Sequence, residues 1–219
     1  MKKDFKRKRI INFLNQHKEH YKEYFIKNRL SKLKYGYTSD INQVMSYLSL
    51  VPDKKTDYFE FYKIINKYFN IDNIKVLDAA AGKIPVLSII LSKYSLANVT
   101  AINGKFVIKK INNVTILQKY INNKTSFKNY DLIIGFRSCK ATEIIINLCF
   151  KYKKSFVIYL CPCANKPQNI SCYKDIWNYN DWHKYIINLV LNNNSYDVKI
   201  LYKHNLGDDC PVIIAKYII

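Results

Sequence analysis

Val76-Leu77-Asp78-Ala79-Ala80-Ala81-Gly82-Lys83-Ile84-Pro85 reads as an apolar strand running straight into a glycine-containing turn and then a helix. A parallel strand that ends this way leaves backbone N–H groups and a helix N-terminus at the carboxyl edge of its sheet, where open α/β folds hold nucleotide-like ligands. Asp78 follows the apolar run, where a carboxylate either fixes the turn or accepts a bond from a ligand amine. Pro85 suits the first turn of the next helix, because its missing N–H has no helical partner there in any case.

Around this stretch, the residues from 74 onward alternate between strand and helix. Strands are expected at 75–78, 99–103, 114–118, 131–136, 155–160, 198–202 and 212–217, with helices at 86–93, 141–150 and 182–191 and a short one near Val107. Alternating units of this kind give a parallel sheet with right-handed crossovers. The last two strands are joined only by a short segment ending in Asn205-Leu206-Gly207-Asp208-Asp209-Cys210, which permits an antiparallel hairpin but no helical crossover. The expected fold is therefore α/β: a Rossmann-like, seven-stranded, mostly parallel sheet with a C-terminal antiparallel strand. Residues 1–70 read as a helical, basic N-terminal extension and 71–219 as the α/β domain. In the extension Ile10, Leu14, Tyr21 and Phe25 recur at helical spacing among many lysines, and residues 58–69 make its last helix.

The 219 residues allow one α/β domain with a sizeable core plus an extension, and 49% hydrophobic content excludes a disordered chain. No apolar run is long enough to span a bilayer, and Ile10-Ile11-Asn12-Phe13-Leu14 is too short and polar for a signal peptide. A cytoplasmic location without a membrane partner is the expectation, with the 6 cysteines as thiols or metal ligands rather than disulfides. The net charge of +20 rests on 36 Lys and Arg against 16 Asp and Glu. Such a surplus suits a polyanionic partner such as RNA, with residues 1–34 the densest basic stretch.

Two further blocks join the first. They are Asp131-Leu132-Ile133-Ile134-Gly135-Phe136-Arg137-Ser138-Cys139-Lys140-Ala141-Thr142-Glu143 and Phe156-Val157-Ile158-Tyr159-Leu160-Cys161-Pro162-Cys163. With the turn at 78–82, they make residues 70–219 resemble the class I S-adenosylmethionine-dependent methyltransferases. Within that superfamily, the chain is similar to a subgroup that includes the methyltransferase domain of eukaryotic tRNA ribose methyltransferases. There strand four ends in Gly-x-His-x-Cys-x-x-Ala-Thr and strand five in a Pro/Cys-Cys pair. Here Arg137 replaces the histidine, and Pro162 splits the cysteines. The resemblance implies S-adenosyl-L-methionine as cofactor, held by Asp78, Ala79, Ala80, Ala81, Gly82, Lys83, Asn103 and Gly135, with Arg137 and Cys139 on the substrate side. It also implies methyl transfer to an O or N nucleophile, the acceptor unspecified and RNA one option. Two departures stand out. Ala80 replaces a glycine that lets backbone approach the cofactor, and Asn103 replaces an acidic residue that takes both ribose hydroxyls. These motivate the alternative of a catalytically inactive, RNA-binding relative. A nicotinamide oxidoreductase is disfavoured, since the turn lacks Gly-x-Gly-x-x-Gly.

Several side chains carry two readings. Lys83 either pairs with the cofactor carboxylate or is a solvated turn lysine. Tyr120, after strand three, either stacks on an adenine or is one of 19 ordinary tyrosines. Ser138 is expected to cap the following helix and Glu143 to sit in its first turn. Trp182 reads as buried packing, and 164–181 as a substrate-side lid. If the last strand inserts beside strand five, Cys139, Cys161, Cys163 and Cys210 share one rim, with Cys172 a further candidate. Four thiols about 4 Å apart would suit zinc. The spacing follows no standard zinc pattern, so no metal is assigned and the sulfurs are expected to scatter.

Overall fold

The computed structural model describes residues 57–83, 85–106, 111, 113–162, 179–202, 204–206 and 209–218. The expected helices within 1–56, the short helix near Val107 and most of the 164–181 lid, with Cys163 and Cys172, lie outside the described residues.

The described chain folds in the order α1 (Asp57–Tyr68), β1 (Lys75–Ala79), α2 (Val86–Tyr94), β2 (Asn98–Ile102), β3 (Val114–Leu117) and β4 (Leu132–Phe136). A single 3₁₀ turn, Cys139–Ala141, leads into α3 (Thr142–Tyr152), β5 (Ser155–Tyr159), α4 (Tyr179–Leu191), β6 (Tyr196–Leu201) and β7 (Val212–Tyr217). The seven strands form one sheet, ordered β3-β2-β1-β4-β5-β7-β6. β1 pairs in parallel with β2 and β4, β2 with β3 and β4 with β5, while β7 runs antiparallel between β5 and β6. The expected sheet and its C-terminal hairpin are present.

Burial follows from position in this order. β1, β4 and β5 are central, covered on both faces, and read as nearly continuous apolar runs. β6 lies at the edge and alternates in exposure. One face of the sheet packs α1 and α2, with Phe61, Ile65, Leu87, Leu91, Val76, Ile134, Val157 and Ile214 in a single cluster. The other face packs α3 and α4 through Leu77, Ile133, Phe156, Ile146, Trp182 and Ile186. In α1 the aromatic and apolar positions 58, 61, 62 and 65 share one helical stripe, and Phe61 and Ile65 are fully buried. Each such side chain contributes about 1.5–3 kcal/mol of burial. This helix, read from sequence as part of the extension, is thus integral to the core of the α/β domain.

Local chemistry sets the boundaries. Pro85 falls one residue earlier than expected: it takes the N-cap position and its carbonyl accepts from Ile89 N at 3.1 Å, so α2 begins at Val86. α3 ends where Lys153 turns left-handed (φ 55°), and Lys154 N reaches back to the Cys149 carbonyl at 2.9 Å. α4 starts at Tyr179, ahead of the expected 182, and Trp182 is buried as its packing reading required.

Candidate functional site at the carboxyl edge

Strand order reverses between β1 and β4, since β1 continues outward to β2 on one side and β4 to β5 on the other. A crevice at the carboxyl ends of the strands beside such a switch point is the usual ligand position in open α/β sheets. Two turns flank that position here, one after β1 and one after β4.

The turn after β1 is tightly specified. Ala80 adopts φ 61° and Gly82 φ 73°. Ala81 N donates to the Ile102 carbonyl at 3.1 Å, tying the turn to the end of β2, and Gly82 N closes on the Ala80 carbonyl at 2.6 Å. Ala79 is buried beneath the turn, while Gly82 and Lys83 are exposed at its far side. The left-handed conformation of Ala80 is the one a glycine would adopt without strain. The alanine holds it at a cost of roughly 1–2 kcal/mol.

Asp78 is the last residue but one of β1 and is 1% exposed. Ser88 Oγ, from α2, donates to its Oδ2 at 2.6 Å, whereas Oδ1 has no hydrogen-bond partner among the described residues. Burial is the dominant cause raising its pKa from 3.8 to about 7, with the Ser88 bonds opposing it. A half-satisfied buried carboxylate beside a switch point makes Asp78 a candidate site residue.

The turn after β4 carries two further left-handed residues, Arg137 (φ 51°) and Cys139 (φ 47°). Among the described residues the other non-glycine cases are Asn73 and Asn113, in turns preceding β1 and β3, and the helix cap Lys153. Asparagine and a helix C-terminus account for those three. Ala80, Arg137 and Cys139 have no such local reason, and all three lie at the carboxyl edge. Ser138 bridges the two turns: its Oγ donates to the Ala79 carbonyl at 3.3 Å. That corrects its expected capping role, since it makes no side-chain cap bond. Gly135 makes the bridge possible, because a Cβ there would stand 2.7 Å from Ser138 Oγ. Glu143 does sit in the first turn of α3, and its buried carboxylate accepts from Tyr185 Oη at 2.8 Å.

The guanidinium of Arg137 packs over the Tyr159 ring, 5.0 Å from its centroid, and over Phe136 at 5.6 Å. Its Nη2 donates to Tyr159 Oη at 3.2 Å and to Asp57 Oδ2 of α1 at 3.3 Å. Arg137 therefore also anchors α1 to the sheet. Cys139 Sγ lies 3.2 Å from Cys161 Sγ and 3.2 Å from the Arg137 carbonyl. Cys210 sits just before β7, beside β5, as the hairpin placement required, and is buried. The expected scatter of thiols thus fails for one pair, which is in contact. His183 Nε2 donates to the Cys161 carbonyl at 2.9 Å.

Asn103, immediately after β2, engages its Oδ1 with Lys105 N at 2.8 Å. Its side-chain N–H groups are the donors it can offer a ligand. Tyr120 is largely exposed, and its ring covers Gly104, where a Cβ would collide with it. An exposed aromatic face therefore stands beside the end of β2. Asp78, Ala79, Ala80, Ala81, Gly82, Lys83, Asn103, Gly135, Arg137 and Cys139 all lie on the same edge. The partners Ser88, Asp57 and Tyr159 were not among the sequence candidates. A cavity of about 500 Å³ lies instead at the opposite, amino edge, lined by residues including Lys75, Asn98, Asn113 and Tyr130. Its one left-handed lining residue, Asn113, is an asparagine that adopts this conformation readily, and it lacks the half-satisfied carboxylate, so the carboxyl edge is the better candidate.

No protein-family model matches the chain, and no curated protein sequence is significantly similar to it. Solved structures do match in fold. A candidate S-adenosyl-L-methionine-dependent methyltransferase of Methanococcus maripaludis is 17% identical, with a TM-score of 0.52, over 83% of this chain and 93% of that one. The plantazolicin methyltransferase BpumL is 14% identical, with a TM-score of 0.50, over 89% of this chain and 97% of that one. At these identities the likeness speaks for architecture. Together with the strand order and the C-terminal hairpin, it establishes that the chain carries the Rossmann-like methyltransferase fold.

Proposed function

We propose that the protein is an S-adenosylmethionine-dependent methyltransferase acting on an O or N nucleophile, with the cofactor in the crevice between the turns after β1 and β4. The observation that carries this reading is Asp78: a buried carboxylate at the switch point, one oxygen held by Ser88 and the other without a partner among the described residues. The donor set fits the cofactor. A cationic amine suits the Asp78 carboxylate, the Asn103 amide suits a ribose hydroxyl, and the turn at 80–82 is held in shape by the Ala81 and Gly82 N–H groups, which bond within the protein. Ala80 already holds the conformation that a glycine would supply there.

S-adenosylmethionine supplies, when bound, a methyl group activated on a sulfonium. The work left to the chain is to align an acceptor with that carbon and to keep water out. Arg137 and Cys139 leave β4 beside the crevice and are the proposed substrate-side residues. Arg137, braced by Tyr159 and Asp57, offers a fixed cation suited to an anionic acceptor such as RNA. The tRNA ribose methyltransferase subgroup belongs to this proposal on the strength of the sequence blocks alone.

A second reading, a non-catalytic RNA-binding protein on the same fold, is favoured by two observations. The Asn103 oxygen is already engaged by Lys105, and the chain carries a net charge of +20. Calorimetric titration of the full chain with S-adenosylmethionine and, separately, NADH decides between the readings. The methyltransferase predicts saturable S-adenosylmethionine binding, weakened in Asp78→Ala, and none for NADH. No heat at millimolar S-adenosylmethionine supports the binding protein. For that reading, RNA affinity should fall steeply with salt, with a slope that shrinks when the lysines of residues 1–34 are neutralised.

A further inference from the structure

Cys139 and Cys161 leave neighbouring parallel strands, β4 and β5, at the same edge, and their sulfurs are 3.2 Å apart. Neither is deeply buried, whereas Cys149 and Cys210 are. Cys139 holds a left-handed backbone (φ 47°) that an L-residue adopts only under constraint, and this conformation accompanies a sulfur facing its neighbour across the strands. His183 fixes the Cys161 backbone from α4, through its carbonyl, so that side of the pair is held in place. A bonded sulfur pair stands about 2.05 Å apart, roughly 1 Å closer than these two.

We propose that Cys139 and Cys161 form a reversible oxidation site, in which a peroxide converts the two thiols to a disulfide that loosens the turn after β1. In the first step one thiol takes an oxygen atom from the peroxide, giving a sulfenic acid and releasing an alcohol or water. The second thiol then attacks that sulfur: the S–S bond forms, the S–O bond breaks, and water leaves. The two thiols lose two electrons in all, and the peroxide gains them. A thiol reductant restores the pair by exchange.

The link to the turn is geometric. Closing the pair draws residues 137–139 toward β5, which α4 braces through His183, and away from β1. The contact that yields is the bridge from Ser138 Oγ to the Ala79 carbonyl, already long at 3.3 Å. Ala79 leads directly into the turn whose Ala81 N–H is tied to Ile102. Oxidation therefore releases the β1 turn, whatever ligand the crevice takes.

Peptide mapping of the full chain after hydrogen peroxide treatment, with and without dithiothreitol, tests the chemistry. The same treatment is applied to a Cys163→Ser, Cys172→Ser variant, which leaves four cysteines. The expected result is a Cys139–Cys161 cross-link in both proteins, lost with dithiothreitol, and a fall from four titratable thiols to two in the variant. A cross-link to any other cysteine, or over-oxidation of Cys139 with no cross-link, overturns the proposal; if the variant does not fold, the wild-type map decides alone. Hydrogen exchange tests the coupling without any ligand. Exchange at Ala81 should accelerate about fivefold on oxidation, the equivalent of one side-chain hydrogen bond of ~1 kcal/mol. Cys161→Ser should abolish that change, and an unaltered rate in the oxidised protein refutes the coupling.

Discussion

Replacing Asp78 by asparagine isolates the energetic anomaly of the site. Ser88 Oγ donates to Asp78 Oδ2, and an asparagine carbonyl oxygen accepts the same bond, so Asp78→Asn removes the ionisation while keeping the shape. The folded-state pKa of Asp78, about 7, lies above its ordinary 3.8, because burial disfavours the charged form. The folded protein therefore holds a proton that the unfolded chain has released across that interval, and stability falls as pH rises through it. At 1.36 kcal/mol per pH unit, the interval corresponds to about 4 kcal/mol, of which about 3 kcal/mol falls between pH 5 and pH 8. Above the folded pKa the loss levels off, and below the unfolded value the contribution is complete. Urea unfolding of wild type and Asp78→Asn at a series of pH values gives the difference directly, with the other titrating groups cancelling. The variant should gain about 3 kcal/mol on the wild type from pH 5 to pH 8, or roughly 6–12 °C in Tm for a chain of this size. A cation placed on Oδ1 favours the ionised carboxylate, so saturating S-adenosylmethionine should flatten the wild-type dependence. A wild-type-minus-variant difference that stays constant with pH would refute the reasoning, since it would mean that Asp78 is solvated or fully paired.

Ala80→Gly should stabilise the protein by about 0.5–1 kcal/mol in chemical denaturation, because relief of the left-handed alanine outweighs the extra freedom of an unfolded glycine; a net loss would contradict the turn geometry. Gly135→Ala puts a Cβ 2.7 Å from Ser138 Oγ and should cost about 1–3 kcal/mol, with Ser138→Ala restoring part of that loss in the double variant. Additive effects would show that Ser138 does not occupy the space above Gly135. Arg137→Gln should cost about 1 kcal/mol, a modest figure because the pair with Asp57 is about 30% exposed on each side (31% and 27%). A double-mutant cycle with Asp57→Asn should then give a non-zero coupling, and its absence would place the guanidinium elsewhere.

The sheet was legible because its central strands are buried on both faces, and such strands cannot carry polar interruptions. Leu132-Ile133-Ile134 and Phe156-Val157-Ile158 announce themselves for that reason. The hairpin was legible from chain length alone, since 202–211 leaves no room for a crossover. α1 was legible as a helix but not as part of the core, because periodicity shows that a face is buried and not against what it is buried. The candidate residues separated the same way. Gly82 and Gly135 mark tight backbone by their chemistry, and Asp78 by its place after an apolar run. The partnership of Arg137 with Asp57 spans 80 residues, and no local pattern encodes it. Ser138 looked like a cap because serine before a helix usually is one, yet Gly135 leaves a gap that its hydroxyl fills. A glycine three residues before a serine at the end of a buried strand was the available signal. The half-satisfied state of Asp78 depends on which atoms surround it, and only the packed structure reveals that.

The measurement closest to the central claim is a crystal structure of the full chain grown with S-adenosylhomocysteine. The account predicts ligand density in the crevice between the turn at 79–82 and Gly135, with the amine at Asp78 Oδ1 and the ribose toward Asn103. Density at the amino-edge cavity near Lys75 and Asn98, or an empty crevice at saturating ligand, would contradict it.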